Sequence, residues 1–149
     1  MKSISLKNSD QFVEQIYLLH EHVLKIFLQL YNKYKNFKIR NKGNEAQFHL
    51  LDSYFYDASG KINWDHIRAL MPQNLERNIK DEYNMLSENE IRLSCLILFN
   101  VSVQEITDIL PFTQNSIYVI TNRIKRKTEM KDIKSSLKHF IIEYGTDFS

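Results

Sequence analysis

Glycine and proline are scarce in this chain of 149 residues, which contains only 3 glycines and 2 prolines. Average usage of about 7% glycine and 5% proline would place about 18 of the two together in a chain of this length. The tight turns of β-rich folds need residues that accept a positive φ. Phosphate-binding loops need closely spaced glycines, and no two glycines lie close together here. The scarcity therefore predicts an all-α protein.

The remaining bulk properties predict a cytoplasmic protein that does not insert into a membrane. Apolar runs of about five residues, as at residues 95–99, are far shorter than the roughly 20 residues that span a bilayer. Residues 1–5 lack the apolar core of a signal peptide. The single cysteine, Cys95, lies in an apolar run and is expected to be buried, and a lone cysteine weakly favours a reducing compartment.

No glycine or proline precedes Gly43, and the first forty residues are periodic. The spacing predicts one long helix over about residues 10–37, with Asn8 or Ser9 as its N-terminal cap. This helix is either an ordinary amphipathic helix that faces the core, which is the favoured interpretation, or a dimerising coiled coil. A heptad seam with 4-3-4-3-4 spacing runs along it, formed by Phe12, Ile16, Leu19, Val23, Ile26 and Leu30. The apolar face is widened by Leu24, Phe27, Leu28 and Tyr31.

A basic run closes this helix. Cations at a helix C-terminus offset the negative end of the helix dipole, so a solvated helix end is favoured over contact with phosphates. The run consists of Lys33, Lys35, Lys38, Arg40 and Lys42. Beyond it, residues 48–56 predict an aromatic helix or turn, and residues 57–60 predict a loop. Two short helices follow: one is capped by Asn63, and one opens at residues 72–74 and ends near Tyr83.

Three helix starts follow Met85. Ser87 with Glu90, and Ser102 with Glu105, have the S-x-x-E spacing of a capping box. Thr113 can cap a third helix, which follows Pro111 in the connecting turn. Two short helices joined by a three- or four-residue turn form a helix-turn-helix. The third helix has Ile117, Ile120 and Ile124 on its inner face. A last helix is predicted over about residues 132–144 and is ended by Gly145. Its apolar side carries Ile133, Leu137, Phe140, Ile141 and Tyr144.

Residues 86–141 resemble the LuxR-type helix-turn-helix output domain of bacterial response regulators, which is itself similar to region 4 of sigma factors. Residues 86–90 match the opening L-[ST]-x-x-E, and residues 102–110 match the scaffold helix S-x-x-E-I-A-x-x-L. Residues 113–127 are similar to the recognition helix, with matching positions at Thr113, Ser116, Ile117, Ile124 and Lys127. The resemblance implies a helical dimerisation or sensory region at residues 1–86 and a DNA-binding domain at residues 87–149.

Four residues depart from the family pattern. Pro111 and Asn100 stand where the family often has glycine, Tyr118 where lysine is common, and Ile120 where histidine is common. Residues that pack the fold are kept, whereas residues that touch DNA differ. Such a pattern fits either an altered sequence preference or a loss of DNA binding.

The function implied is that of a sequence-specific DNA-binding transcriptional regulator, with helix 113–128 in the major groove of double-stranded DNA. Asn and Gln can bond both polar atoms of adenine's major-groove edge. Residues 114–139 carry seven basic and two acidic side chains, whereas residues 87–149 balance at eight of each. Base contacts are expected from Gln114, Asn115, Tyr118, Thr121 and Asn122. Phosphate contacts are expected from Thr113, Arg123, Lys125, Arg126 and Lys127.

Family members bind paired half-sites, so the resemblance also implies a homodimer, formed through the long N-terminal helix or the last helix. The alternative function is a protein-interaction module on a degenerate helix-turn-helix, which Tyr118 and Val119 would suit. No catalytic, metal or cofactor site is predicted. His20 and His22 have i, i+2 spacing, which separates them around a helix, and Cys95 has no nearby base in sequence. No carboxylate or cysteine lies at ligand spacing from His49, His66 and His139.

Overall fold

The computed structural model describes residues 2–43 and 45–143, and within them the fold is all-α, as predicted. A 3₁₀ turn over Glu45–Phe48 follows the first helix. Eight α-helices occur within the described residues: α1 Lys2–Arg40, α2 His49–Phe55, α3 Trp64–Leu70, α4 Leu75–Glu82, α5 Glu88–Leu98, α6 Val103–Ile109, α7 Gln114–Thr128 and α8 Ile133–Glu143.

Helix α1 begins earlier than the sequence predicts. It starts at Lys2, so Asn8 and Ser9 lie inside the helix and the predicted cap at these residues is wrong. Asn and Ser cap a helix only where the backbone leaves the helical conformation, and no glycine or proline interrupts the chain near them. The helix ends at Arg40, shortly before Gly43, whose φ is +100°.

The inward face of α1 is not its heptad seam. Phe12 is 64% exposed and Leu30 is 58% exposed, so the interpretation of the seam as core-facing is wrong. The ring of Tyr17 stacks on Phe99 with centroids 5.2 Å apart, and its hydroxyl donates to the carbonyl of Leu98. The buried face consists of Tyr17, Leu24, Leu28, Tyr31 and Tyr34.

The middle segment follows its predicted capping residues. The predicted aromatic helix forms as α2, where Phe48 and Phe55 are buried and Leu50 is 79% exposed. The side chain of Asn63 accepts from the backbone N–H of Asp65 and caps α3. Tyr83 is the C-terminal cap of α4, at the predicted end of that helix. Local hydrogen-bond chemistry therefore sets these boundaries.

Capping boxes open α5, α6 and α7. The side chains of Ser87 and Ser102 each accept from the backbone N–H three residues later, and their own backbone N–H groups donate to the carboxylates of Glu90 and Glu105, as predicted. Thr113 caps α7 and forms a third box with Ser116. Asn100 has a φ of +65° just after the end of α5. Asparagine tolerates this left-handed conformation better than most residues, so it can stand where glycine is otherwise favoured.

The buried side chains form one cluster that extends from Tyr17 to Ile141, so residues on both sides of position 86 share a core. Asp132 accepts from the backbone N–H of Ser135 at 2.9 Å at the start of α8. The predicted inner side of the last helix is buried at Ile133, Leu137, Phe140 and Ile141, whereas Tyr144 and the predicted stop at Gly145 lie outside the described residues. Within the described part of the chain, no helix is long and apolar enough to cross a membrane.

Candidate nucleic-acid interface

Helices α6 and α7 are joined by a four-residue turn, residues 110–113, which is the connection length of a helix-turn-helix. Leu110 is buried in this turn, while Pro111 is exposed. The loop before α3 forms hydrogen bonds to α6. The backbone N–H of Ile62 donates to the carbonyl of Asp108 at 2.9 Å. Lys61 Nζ donates to the carbonyl of Thr107, also at 2.9 Å. The N-terminal half of the chain therefore braces the scaffold helix.

Helix α7 is anchored by its apolar side. Ile117, Ile120 and Ile124 are buried, as predicted from their spacing. Ile120 is 8% exposed, so its side chain packs inward. Because the buried side fixes the rotation of the helix, the side chains on its opposite face project into solvent at defined positions.

The residues predicted to contact bases are mostly exposed on α7. Gln114, Asn115 and Asn122 are exposed, and Tyr118 is 59% exposed. Thr121 is half-buried, and its hydroxyl donates to the carbonyl of Ile117 at 2.7 Å. Four of the five side chains are therefore accessible to a ligand, while Thr121 presents only part of its surface.

The residues predicted to contact phosphates fall into two groups. Arg123 and Arg126 are exposed and Lys125 is half-buried near the end of α7. The hydroxyl of Thr113 is engaged in the capping box, where it accepts from the N–H of Ser116 at 3.1 Å. Among the described residues Arg123, Lys125 and Arg126 form no ion pair, whereas Thr113 already has a structural function.

Lys127 is tied to the protein interior. Its Nζ lies 2.8 Å from Oε1 of Glu90, a residue of α5 that is only 2% exposed. The same carboxylate oxygen accepts from the backbone N–H of Ser87 at 2.8 Å. Burial pushes the pKa of Glu90 upward, but hydrogen bonds from Lys127 and Ser87 outweigh it and hold the pKa below its ordinary value. The pair fastens α7 to α5.

Lys127→Ala is expected to lower the free energy of unfolding by about 2–3 kcal/mol at neutral pH, because it leaves a buried carboxylate unpaired. The cost is below that of a fully buried pair, since the Lys127 side chain is 37% exposed. A carboxyl with a depressed pKa stabilises the fold above its unfolded pKa and loses that contribution as the pH falls through the folded value. The deficit of the variant should therefore shrink below about pH 4.3, the ordinary glutamate value.

Urea unfolding at neutral and acidic pH measures this deficit. The exposed Lys131, replaced by alanine, removes the same charge outside any ion pair among the described residues and serves as the control. Equal unfolding free energies for the two variants at neutral pH would contradict a structural role of Lys127.

Two of the seven basic side chains in residues 114–139 make ion pairs within the protomer. Lys127 pairs with Glu90, and Lys138 pairs with Glu14 of α1 at 3.2 Å. Over the described part of the chain, the other five form no ion pair: Arg123, Lys125, Arg126, Lys131 and Lys134. The positive charge near the end of α7 and the start of α8 is therefore not neutralised internally by ion pairs.

In the second basic region, at the end of α1, two lysines form ion pairs with other helices. Lys38 Nζ lies 2.6 Å from a carboxylate oxygen of Asp52, and Lys35 Nζ lies 3.4 Å from one of Asp108. These pairs join α1 to α2 and α6. Such contacts favour the interpretation of this run as a helix end with a structural role.

Cys95 is fully buried, and burial raises the pKa of its thiol. A thiol with a raised pKa is a poor nucleophile, as the sequence predicted for this residue. His66 stacks on the ring of Tyr54 with centroids 4.3 Å apart, and Nδ1 of His20 lies 3.0 Å from the carbonyl oxygen of Leu70. Packing and backbone contacts account for these three residues.

Sequence reasoning missed the Glu90–Lys127 pair. The sequence identifies Glu90 as the glutamate of a capping box. The second hydrogen bond to its Oε1 comes from Lys127, which is 37 positions away. One signal was available: a glutamate early in a helix that is apolar on most sides is expected to need a cation.

Comparison of the chain with protein-family models, with curated proteins and with solved structures found no match. The resemblance to LuxR-type domains therefore rests on the residues of the three helix starts and of α7.

Proposed function

We propose that this chain is a sequence-specific DNA-binding transcriptional regulator of the cytoplasm, or the output domain of one, that reads the major groove with α7. One observation carries the proposal: the side of α7 opposite its buried isoleucines exposes amide side chains, and the cations beside them form no ion pair with any described residue. The amides are Asn115 and Asn122, and the nearest cations are Arg123, Lys125 and Arg126. This is the distribution that a recognition helix needs.

The two amides are suited to direct base readout. Asn115 and Asn122 are seven residues apart, which is about two helical turns and about 10 Å along the axis, so both project from the same side of α7. Each can bond the N6 and N7 groups of an adenine in the major groove. Their separation places them over different base pairs of one half-site.

The cations supply affinity that does not depend on sequence. Lysine and arginine side chains that neutralise phosphates release condensed counterions, which drives binding at low salt. Lys131 and Lys134 extend the positive surface from α7 to α8. Reading paired half-sites requires two copies of the chain.

Asn115→Ala and Asn122→Ala are expected to change which sequences are bound, while affinity for random DNA changes little. The loss of a bidentate contact lowers discrimination at one base position by about 1–3 kcal/mol, or about 5- to 150-fold. Selection of sites from a random duplex pool, followed by sequencing, measures the preference of each variant.

Gln73→Ala is the control, because it removes an exposed amide from the loop before α4. It should select the same sites as the wild type. If both α7 variants also select the wild-type sites with unchanged strength, α7 does not read bases.

A second candidate function is a protein-interaction module. Tyr118 and Val119 are adjacent on α7, and they are 59% and 56% exposed. Two neighbouring apolar side chains on a surface helix are typical of a docking contact. This function predicts DNA affinity no higher than that of any weakly basic protein, together with retention of one specific protein that the Tyr118→Ala variant fails to retain.

A further inference from the structure

We propose that the outward heptad seam of α1 is the interface at which two copies of this chain associate. Exposed apolar side chains follow one another along this seam. Their exposed fractions are 64% for Phe12, 59% for Leu19, 37% for Val23, 51% for Ile26, 58% for Leu30 and 55% for Phe37. Side chains of this size are seldom left in water as a continuous stripe.

The rest of the protomer prevents the seam from turning inward. Tyr17 is held by the carbonyl of Leu98 and by the ring of Phe99. Farther along α1, the hydroxyl of Tyr34 donates to a carboxylate oxygen of Asp52 at 2.6 Å. Because these contacts fix one side of the helix, the seam on the opposite side faces away from the described part of the protomer.

The spacing of the seam is that of a coiled coil. Ile16, Val23 and Leu30 occupy one heptad position, and Phe37 continues it seven residues later. β-branched residues at this position, as at Ile16 and Val23, favour two strands in parallel coiled coils. Lys33 is the one polar residue in the repeat between Phe12 and Phe37.

The charges of α1 suit association with an identical copy. The residues that flank the seam on its outer side are polar, and none is an Asp, Glu, Lys or Arg; they are Gln15, His22, Gln29 and Asn36. Glu14 is turned toward α8, where it pairs with Lys138 at 3.2 Å. Two seams related by a two-fold axis therefore meet without charged flanks on this side, and Lys33 is the one charged residue within the repeat.

The size of the seam is adequate for a dimer. Residues 12–37 of a helix extend over about 38 Å. At exposed fractions of 37–64%, these six side chains together present on the order of 500–600 Å² of apolar surface per protomer, before the polar flanks are counted. A standard interface buries about 800 Å² per partner. Seam and flanks together approach this value.

The adjacent residues Leu18 and Leu19 provide a matched test, since only Leu19 lies on the seam and Leu18 is 49% exposed. Light scattering and sedimentation equilibrium, in the absence of DNA, should show a wild-type dimer at tens of micromolar. Leu19→Glu places two carboxylates in the seam and should weaken the dimer by about 100-fold or more. Leu18→Glu should leave it intact. Circular dichroism checks that both variants remain helical. Ile26→Glu is a second seam variant and should weaken the dimer as Leu19→Glu does.

A wild-type monomer at tens of micromolar would overturn the proposal, and so would a Leu19→Glu or Ile26→Glu variant that dimerises like Leu18→Glu. The inference does not depend on DNA binding. A dimer without DNA affinity would support the interface and contradict the proposed function, whereas a monomer that binds DNA would do the reverse.

Discussion

Replacement of Lys125 and Arg126 together by alanine is expected to lower the affinity for every duplex DNA by about 10- to 100-fold at low salt, whatever the sequence. Neither residue forms an ion pair among the described residues. Their charges are therefore available to phosphates, and their loss removes counterion release. The slope of log affinity against log salt should fall by about 2. Fluorescence anisotropy with labelled duplexes at several salt concentrations measures both quantities.

A matched control separates a local contact from net charge. Lys25 and Arg77 are exposed on α1 and α4, and their double alanine variant has the same total charge as the α7 variant. It should bind DNA nearly as well as the wild type. Equal weakening by the two double variants would mean that only overall charge matters, and α7 would lose its assigned role.

Phe99→Ala is expected to reduce the free energy of unfolding by about 3–5 kcal/mol. Phe99 is 1% exposed and stacks on Tyr17 of α1, so its removal opens a cavity between α1 and the helix-turn-helix half. Because both halves share one core, the loss should spread to residues before position 86. Trp64, the one tryptophan, lies in that earlier half and reports on it by fluorescence.

Urea unfolding followed by Trp64 fluorescence and by circular dichroism tests this coupling. The two signals should shift together in Phe99→Ala, whereas Leu50→Ala, at a site 79% exposed, should change the unfolding free energy by less than about 0.5 kcal/mol. A fluorescence transition that is unchanged in Phe99→Ala would contradict the shared core and favour two independent units divided at residue 86.

Local capping chemistry accounts for most of the helix boundaries that the sequence predicted. Asn63, Ser87, Ser102 and Thr113 each accept a bond from a backbone N–H within three residues, so the signal is contained in a few adjacent positions. The same reasoning gave a wrong prediction at Ser9. This residue lies inside α1, and a serine does not act as an N-terminal cap where the helix continues through it.

The orientation of α1 could not be predicted from spacing. The helix has two apolar faces, and the heptad seam is the more regular one. The other face is buried because Tyr17 finds the carbonyl of Leu98 for its hydroxyl and Tyr34 finds Asp52. These partners are 81 and 18 residues away, so spacing within α1 cannot predict them.

The parts of the candidate site that depend only on the geometry of α7 could be predicted from the sequence. Once Ile117, Ile120 and Ile124 are placed inward, the helical period puts Asn115 and Asn122 outward. The role of Lys127 was not predictable in this way, because its partner Glu90 belongs to another helix.

The proposed function is tested most directly by titrating random-sequence duplex DNA with the wild-type protein at two salt concentrations. Binding is expected at about 50 mM salt, and if five cations contact phosphates it should weaken by about 10²- to 10³-fold at about 200 mM. No detectable binding at the lower concentration, or binding that does not respond to salt, would contradict DNA recognition by α7.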